Sequence, residues 1–401
     1  MSERMVLDGL KVIDAGTMVA GPFGGTLLAD LGADVIKLEK PRSGDPMRDW
    51  SPMKDGRSLW WKVTARNKKL ITLNLATATG KALFLQLAQT ADVVIENYRP
   101  GTFDRWGLSY AELAKVNPRL IVVHVSGYGQ TGPYSHRPGY GTVAEGISGI
   151  PSFTGFPDRP PTLSAFPLAD ALAAIFGVVG LLSAIYERDV SGSGIGQEID
   201  VSLYEPLFRL AESQVVGYDQ LGLVKERRGN RLEEDSPRNA YATAEPDEWI
   251  TISASSDRTF GRLAAAIGRP ELAQDPRFGD NASRIANDAA LDEIIASWIA
   301  QRSSGEVLKT FAAHDVVAGP IYTIRDIFAD LHYQAREDIV EVIDQHVGPL
   351  KMPGVFPRFS RGPGQVRWTG GDIGQHNAEI YQGRLGLTDE QLAAARAEGA
   401  I

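Results

Sequence analysis

Apolar residues alternate between two spacings in the first third of the chain. Residues 10–15 and 34–38 are short apolar runs rich in β-branched side chains, and residues 21–31 between them carry apolar side chains at helical spacing. A strand, a helix and a second strand within about 30 residues indicate a βαβ unit. The pattern continues with predicted strands at 70–75, 92–96 and 120–125 and predicted helices at 79–90 and 110–116. This alternation predicts an α/β fold with a mostly parallel sheet, whose ligands bind in the loops after the strands.

Three later segments break the alternation. Residues 127–167 are rich in Gly and Pro with little periodicity, which predicts a long loop, and loops of this length are usually functional. Residues 168–188 are apolar but include Asp170 and several Ala and Gly, so they predict a buried core helix and not a membrane span. The charged stretch 225–239 predicts a linker, and the short strands and helices within 241–327 predict a smaller second domain.

Composition narrows the chemistry. The 401 residues contain no Cys, which excludes a thiol nucleophile, a cysteine zinc site and any disulfide, and the six histidines show no metal-ligand spacing. We therefore predict no metal site. The lack of disulfides and the charged N-terminus, which does not have the pattern of a signal peptide, predict a cytoplasmic protein. A net charge of −9 argues against a nucleic-acid partner, whereas 13 Lys and Arg against 7 Asp and Glu in residues 37–105 suit a small polyanion.

A glycine motif in the predicted loop argues for a turn. Residues 127–132 match GxGxxG after a predicted strand, which is one mark of a dinucleotide site. Such a site needs a helix that opens directly after the motif, but Pro133 follows, and no acidic residue ends a following strand. An NAD-dependent dehydrogenase is therefore a weak alternative.

Asp170 is the candidate nucleophile. It stands three residues after Pro167, in the first turn of the predicted apolar helix, where the helix dipole and free N–H groups favour the ionised carboxylate. A helix-capping aspartate is the alternative interpretation. Residues 96–101 and 37–42 each leave a predicted strand with basic side chains that suit phosphate groups, although exposed loops would have the same composition.

Taken together, these segments resemble the class III CoA-transferase family, which includes formyl-CoA transferase and the carnitine CoA-transferase. The resemblance covers nearly the whole chain, and the order and spacing of its motifs carry it. The matching segments are 7–14, 20–22, 31–39, 43–45, 67–68, 92–101, 126–133, 137–140, 154–155, 168–170, 236–239, 275–278 and 374–377.

The resemblance implies a fold, an assembly and a set of site residues. It implies a Rossmann-like large domain built from residues 1–224 and 331–401, a small α+β domain at 225–330, and an interlocked homodimer. Asp170 would be the catalytic aspartate, and acyl-CoA and a carboxylic acid would be the substrates, with no permanently bound cofactor and no nucleic-acid or membrane partner. The implied CoA-binding residues are Val19, Ala20, Lys40, Leu73, Asn74, Leu75, Ala76, Asn97, Tyr98, Arg99, Arg105, Pro138, Gly139, Tyr140 and Gly141.

The implied mechanism is covalent, through an aspartyl anhydride and an aspartyl-CoA thioester. The chain departs from formyl-CoA transferase, which has glutamine where Val19 stands, lysine where Ala76 stands and a glycine-rich loop without a counterpart here. Many relatives also carry an acid where Gly141 stands. These departures argue against formyl-CoA and oxalate as substrates.

Two questions stay open. An α-methylacyl-CoA racemase shares the implied fold, but its histidine belongs where Tyr140 and its neighbours stand, and tyrosine is a poor base at neutral pH. A non-catalytic acyl-CoA-binding protein would have no need of Asp170. Succinyl-CoA as donor and a dicarboxylic acid as acceptor are our hypothesis, because four arginines could meet a second carboxylate. These arginines are Arg48, Arg228, Arg231 and Arg238.

Overall fold

A computed structural model describes residues 4–401 and divides them into two compact units. The first unit contains residues 4–150, 163–223 and 332–401, and the second contains 151–162 and 224–331. Segment 151–162 is predicted to belong to the large domain, but the segment lies in the second unit. It belongs there because Gly155 forms an antiparallel bridge with Gly229 and because the Arg227 side chain donates to the Phe156 carbonyl at 3.3 Å.

The described residues form thirteen strands and seventeen α-helices. The strands are β1 (Lys11–Asp14), β2 (Asp34–Glu39), β3 (Met53–Lys54), β4 (Arg57–Ser58), β5 (Lys68–Thr72), β6 (Val93–Glu96), β7 (Ile121–Ser126), β8 (Glu198–Ser202), β9 (Arg238–Ala242), β10 (Trp249–Ser253), β11 (Ala318–Pro320), β12 (Ile339–Asp344) and β13 (Gly348–Pro353). The helices are α1 (Ala20–Asp30), α2 (Leu59–Thr64), α3 (Ala78–Ala88), α4 (Thr102–Arg105), α5 (Tyr110–Val116), α6 (Gly141–Ile147), α7 (Ile150–Phe153), α8 (Leu168–Tyr186), α9 (Glu205–Leu210), α10 (Glu212–Leu221), α11 (Asp257–Ala266), α12 (Asn281–Ala286), α13 (Asp288–Ile299), α14 (Ser304–Ala313), α15 (Ile324–Ala329), α16 (Leu331–Ala335) and α17 (Asp389–Ala397).

The first unit is built on a parallel six-stranded sheet, as the alternation predicts. The strands lie side by side in the order β5-β2-β1-β6-β7-β8, and every neighbouring pair is parallel. This is the doubly wound Rossmann order, in which the chain reverses direction across the sheet between β1 and β6. The loops after these two strands diverge, and the crevice between them is where ligands of such sheets bind.

Helices cover both faces of this sheet. On one face the strands pack against α3, α5 and α17, and on the other against α1 and α8. The central strands β6 and β7 are rich in buried apolar residues because both of their faces are covered. Helices α1 and α8 pack against each other, and a Cβ on Gly24 would make only an ordinary contact of 3.7 Å with the Ala174 carbonyl oxygen.

The prediction that residues 168–188 form a buried core helix is correct for only one face. Small residues of α8 such as Ala173 and Gly177 are buried, whereas Val179 is 58% and Tyr186 61% exposed. By length and composition, 168–191 is the one described stretch that could cross a membrane, but core helices of soluble proteins pass the same test. The periodicity of such a uniformly apolar helix is too weak to distinguish its two faces.

Two helices interrupt the predicted loop 127–167. Helix α6 and the single turn α7 lie within it, so the long-loop prediction is wrong in its middle part. Helix α6 has two glycines and three β-branched residues in seven positions, which gives it low intrinsic helix propensity. Tertiary packing offsets this, since Ala144 is buried in the same core cluster as α8.

A buried charge cluster supports the loop after β1. Lys68 Nζ lies 2.8 Å from Asp14 Oδ2 and donates to the Pro22 carbonyl at 2.6 Å, and Lys37 Nζ lies 3.0 Å from Asp45 Oδ2. All four charged side chains are at most 1% exposed. Asp45 in turn accepts a hydrogen bond from the Met18 backbone N–H at 3.2 Å. The cluster therefore ties the start of the crevice to the sheet.

Breaking this cluster is expected to destabilise the first unit. Lys68→Met should lower the free energy of unfolding by about 3–5 kcal/mol, because Asp14 loses its nearest cation while remaining buried. Urea denaturation followed by circular dichroism measures this. Lys115→Met removes an exposed cation paired with Glu112 at 2.6 Å, and should cost less than about 1 kcal/mol. Equal losses in the two variants would contradict the role of burial.

The second unit has its own core around the antiparallel sheet β11-β10-β9. Arg284 is fully buried, and its guanidinium donates to the carbonyl oxygens of Ser236 at 2.9 Å and Phe278 at 3.0 Å. Ser236 begins one motif of the family resemblance and Phe278 ends another. Part of that resemblance in this unit therefore serves packing of the fold.

The C-terminal segment completes the edge of the large sheet. His376 Nδ1 accepts from the Leu70 N–H at 2.8 Å, and Asn377 Oδ1 accepts from the Thr72 N–H at 2.9 Å. These bonds satisfy N–H groups of the edge strand β5 that would otherwise be unpaired. The motif at 374–377 thus has a structural role at the edge of the sheet.

Candidate active site

A cavity of about 550 Å³ lies at the carboxyl end of the parallel sheet, where the chain reverses. The loops after β1, β6, β7 and β8 contribute to its wall, together with the segments that lead into α6 and α8. Its lining residues are Thr17, Met18, Val19, Ala20, Trp50, Asn97, Tyr98, Arg99, Val125, Ser126, Gly127, Gly139, Tyr140, Gly141, Thr142, Glu145, Ser164, Ala165, Phe166, Pro167, Asp170 and Leu203.

Asn97 holds the two crevice loops together. Its Oδ1 accepts from the Thr17 N–H at 2.7 Å, and its Nδ2 donates to the Thr17 carbonyl at 2.8 Å. Gly16 is required beside it, since a Cβ at position 16 would lie 3.1 Å from Asn97 Oδ1 and 2.9 Å from the Pro22 ring. Asn97 is predicted to bind CoA, but both polar atoms of its side chain already form hydrogen bonds that fix the two loops of the crevice.

Asp170 projects into the cavity from the first turn of α8. Pro167 occupies the N-cap position, so Asp170 is not the N-cap residue, although its carboxylate interacts with its own backbone N–H in the first turn. Within the described chain no Lys, Arg or His forms an ion pair with it. Burial raises the pKa of the Asp170 carboxyl to about 6, and the nearby Glu145 carboxylate adds to the rise. The backbone N–H of Asp170 at the helix start lowers the pKa, in the direction that the sequence predicts, but burial has the larger effect. The carboxyl group is still mostly ionised at pH 7.

Close backbone contacts shape the wall beside Asp170. A Cβ on Gly127 would lie 2.8 Å from the Gly139 Cα, so the turn after β7 and the segment before α6 are in direct contact. A Cβ on Gly141 would lie only 2.2 Å from Asp170 Oδ2. Gly141 therefore makes room for the candidate nucleophile.

The structure brings eight of the fifteen predicted CoA-binding residues to the cavity with Asp170. They are Val19, Ala20, Asn97, Tyr98, Arg99, Gly139, Tyr140 and Gly141. The other seven are Lys40, Leu73, Asn74, Leu75, Ala76, Arg105 and Pro138, and they lie outside the lining.

Those seven residues differ in what they offer a ligand. Leu73 and Leu75 point into the core, where they are 4% and 6% exposed, so only their backbone remains for a ligand. Lys40 is exposed directly after β2, and Arg105 is exposed and donates to Thr102 Oγ1 at 2.8 Å. Their part in CoA binding stays a prediction.

Four arginines were candidates to bind a second carboxylate of the acceptor acid. Three of them already form ion pairs with acidic residues of the chain. Arg48 lies 2.6 Å from Glu39, Arg228 lies 2.5 Å from Asp288, and Arg231 lies 2.6 Å from Asp292. Arg238 donates to the Asn230 carbonyl at 2.9 Å. Among the described residues that line the cavity with Asp170, Arg99 is the one Lys, Arg or His. Arg99 is thus the better candidate to meet a distal carboxylate.

Several residues that line the cavity are not among those predicted from the sequence. Glu145 is the charged residue among them. It is 6% exposed and follows Gly141 by four residues, which places both on one face of α6. The helical spacing was present in the sequence, but the low helix propensity of the segment concealed it.

The acid limb of the profile of kcat/KM against pH is expected to reflect the ionisation of Asp170. A nucleophilic carboxylate must be ionised, so kcat/KM should fall as the pH drops through about 6. Glu145→Gln removes a negative charge that raises this pKa, and the limb should move to lower pH. Exchange of labelled succinate with succinyl-CoA tests both statements. It is measured from about pH 4.5 to about pH 8, which covers both sides of the expected pKa. An unmoved limb in Glu145→Gln would remove Glu145 as a source of the shift.

Comparison with known proteins agrees with this geometry. The chain matches the family described as CoA-transferase family III over residues 7–377. It belongs to that family. The family resemblance drawn from the motifs is confirmed, and the chain is a CoA-transferase that acts on CoA thioesters.

The relatives cover the chain almost completely. It is 46% identical to a succinyl-CoA–D-citramalate CoA-transferase of Chloroflexus aurantiacus, over 98% of each chain. It is 39% identical to the beta subunit of a succinyl-CoA–L-malate CoA-transferase of the same organism, again over 98% of each. A CAIB/BAIF family protein from Brucella suis matches in structure with a TM-score of 0.84 and 34% identity, over 95% of this chain and 100% of that one. The predicted α/β fold is thereby confirmed.

Proposed function

We propose that this CoA-transferase moves CoA from succinyl-CoA to a dicarboxylic acid, with Asp170 as the nucleophile. The observation that carries the proposal is the position of Asp170. It has no ion-pair partner in the described chain, and it lines the cavity at the carboxyl end of the sheet, where the strand order reverses between β1 and β6. Two relatives of 46% and 39% identity are named for succinyl-CoA and for dicarboxylic acids. Arg99 in the same cavity offers a cation for a second carboxylate.

The first half of the reaction loads CoA onto the enzyme. An Asp170 carboxylate oxygen attacks the thioester carbonyl of succinyl-CoA, the C–S bond breaks, and CoA leaves as the thiolate. The product is a succinyl-aspartyl anhydride. The thiolate then attacks the aspartyl carbonyl of this anhydride, which releases succinate and leaves an aspartyl-CoA thioester.

The second half runs the same steps in reverse with the acceptor. Its carboxylate attacks the aspartyl carbonyl, forms a new anhydride and expels CoA thiolate. The thiolate attacks the acceptor carbonyl, which gives the new acyl-CoA and restores the Asp170 carboxylate. No proton is transferred in either half, so a free and ionised Asp170 meets the requirement of the reaction.

Backbone N–H groups at the start of α6 are candidates to stabilise the oxyanions. Gly141 and Thr142 line the cavity, and they are the first two residues of the helix. The first N–H groups of a helix have no acceptor within the helix. Donors held by the fold at the place where charge develops lower the barrier without reorganisation.

We propose a homodimer because the first unit exposes a large apolar surface. Helix α10 has no buried residue, although Val216 and Leu221 on it are 63% and 72% exposed. Large apolar side chains on α8 are exposed as well, at positions Ile175, Phe176, Val179, Leu182 and Tyr186. Helices that expose several large apolar side chains are typical of interfaces.

The proposed function is tested by product analysis. The protein is incubated with succinyl-CoA and a pool of mono- and dicarboxylic acids, and CoA esters are identified by mass spectrometry. New esters of dicarboxylic acids are expected. Esters of monocarboxylic acids alone would overturn the proposed acceptor. Exchange of the α-proton of an α-methylacyl-CoA in deuterated water, without new esters, would favour the racemase alternative.

A further inference from the structure

Glu145 is a second buried carboxylate in the wall of the catalytic cavity. It lies on the face of α6 that carries Gly141, and Gly141 touches the Asp170 carboxylate. At 6% exposure it is among the few buried acidic side chains of the first unit. No step of the mechanism forms a bond to Glu145, and its charge raises the pKa of Asp170, which opposes ionisation of the nucleophile. The burial of Glu145 therefore needs a separate explanation.

The two carboxylate oxygens of Glu145 differ in their contacts. Oε2 accepts a hydrogen bond from the Ser164 backbone N–H at 2.9 Å, which fixes the side chain against the segment that leads into α8. In the described part of the chain, no hydrogen bond is made to Oε1 and no cation pairs with the carboxylate. A buried anion without a cation is costly. A fold that retains one in a ligand cavity leaves an acceptor for a donor that the ligand supplies.

The chemistry of a carboxylate restricts that donor. An ionised carboxylate only accepts hydrogen bonds, so it can bind an O–H or N–H group but repels another carboxylate. A dicarboxylic acid in this cavity would therefore turn its distal carboxylate away from Glu145 and toward Arg99. A hydroxyl on the carbon chain of the acid is the group that can face Glu145.

We propose that Glu145 is a specificity-determining residue whose Oε1 accepts a hydrogen bond from a hydroxyl group of the acceptor, so that the preferred acceptors are hydroxylated dicarboxylic acids. This inference rests on the proposed function and names the acceptor class of the same site. A hydrogen bond to a charged acceptor gives about 10- to 100-fold discrimination against an acid that lacks the hydroxyl group.

Matched acceptors that differ only in the hydroxyl test the inference in the wild type. KM and kcat are measured with succinyl-CoA as donor for malate against labelled succinate, and for citramalate against 2-methylsuccinate. The hydroxylated acid of each pair is expected to have a KM about 10-fold lower or better. Equal KM values within the pairs would overturn the inference while the proposed function stands. Absence of any dicarboxylic CoA ester would instead overturn the proposed function.

Glu145→Gln provides the second test. Because the Ser164 N–H requires an acceptor, the amide oxygen is expected to stay there, which turns the amide N–H₂ toward the cavity and replaces an acceptor by a donor. KM for malate should rise about 10- to 100-fold, whereas KM for succinate should change less than about 3-fold. Glu390→Gln makes the same chemical change at an exposed residue of α17 and should leave both values unchanged. Equal changes for malate and succinate in Glu145→Gln would contradict the hydroxyl contact.

Discussion

Replacement of Asp170 by alanine is expected to lower kcat/KM for CoA transfer by at least about 10⁴-fold. Removal of a covalent nucleophile leaves only the contribution of binding, and such variants of other enzymes lose several orders of magnitude. Asp170→Asn should be nearly as inactive, since the amide keeps the shape but not the nucleophilic charge. Formation of the acceptor CoA ester from succinyl-CoA measures the loss.

The controls separate chemistry from folding. Asp389→Asn makes the same substitution at an exposed first-turn position of α17 and should keep full activity. Asp170 has no ion-pair partner in the described chain, so its loss should not lower the unfolding midpoint. Wild-type protein incubated with succinyl-CoA alone should gain a CoA adduct on the peptide that contains Asp170. A loss of activity smaller than about 10³-fold in both Asp170 variants would show that another group carries the acyl intermediate.

The parallel sheet could be predicted because its strands carry the signal in their own residues. Strand β7 is apolar at four of its six positions, and the strands before it alternate with segments of helical spacing. Predicted bounds differ from the structure by a few residues, as at 70–75 against Lys68–Thr72. Lys68 begins β5 although lysine is rare in a buried strand, and the tertiary ion pair with Asp14 explains its burial.

The site could be predicted only as far as local sequence determines it. Asp170 was found from its place at a helix start, but its pKa depends on burial by segments distant in sequence. The same holds for the arginines, because the partners of Arg228 and Arg231 follow them by about sixty residues. Glu145 lies in a helix of low propensity, so neither its burial nor its proximity to Asp170 could be read from the sequence. Long-range packing decided each of these features.

Gly141→Ala is expected to reduce kcat/KM by at least about 100-fold without unfolding the protein. A Cβ at this position would lie 2.2 Å from Asp170 Oδ2, which is closer than any non-bonded contact, so the carboxylate must rotate away. Displacement of a reacting group by about 1 Å is enough for a loss of this size. The backbone of Gly141 is in an ordinary helical position, so alanine should not strain the helix itself.

Gly146→Ala is the matched control for this prediction. Gly146 lies in the same helix, and a Cβ there would meet nothing within 4 Å, so the substitution should keep activity and raise helix stability by up to about 1 kcal/mol. Thermal unfolding and the succinyl-CoA exchange rate are measured for both variants. If Gly141→Ala kept wild-type activity, the Asp170 carboxylate would have to react in a rotamer that points away from α6. The Gly141 and Thr142 N–H groups could then not serve the oxyanions, because the reacting centre would lie elsewhere in the cavity.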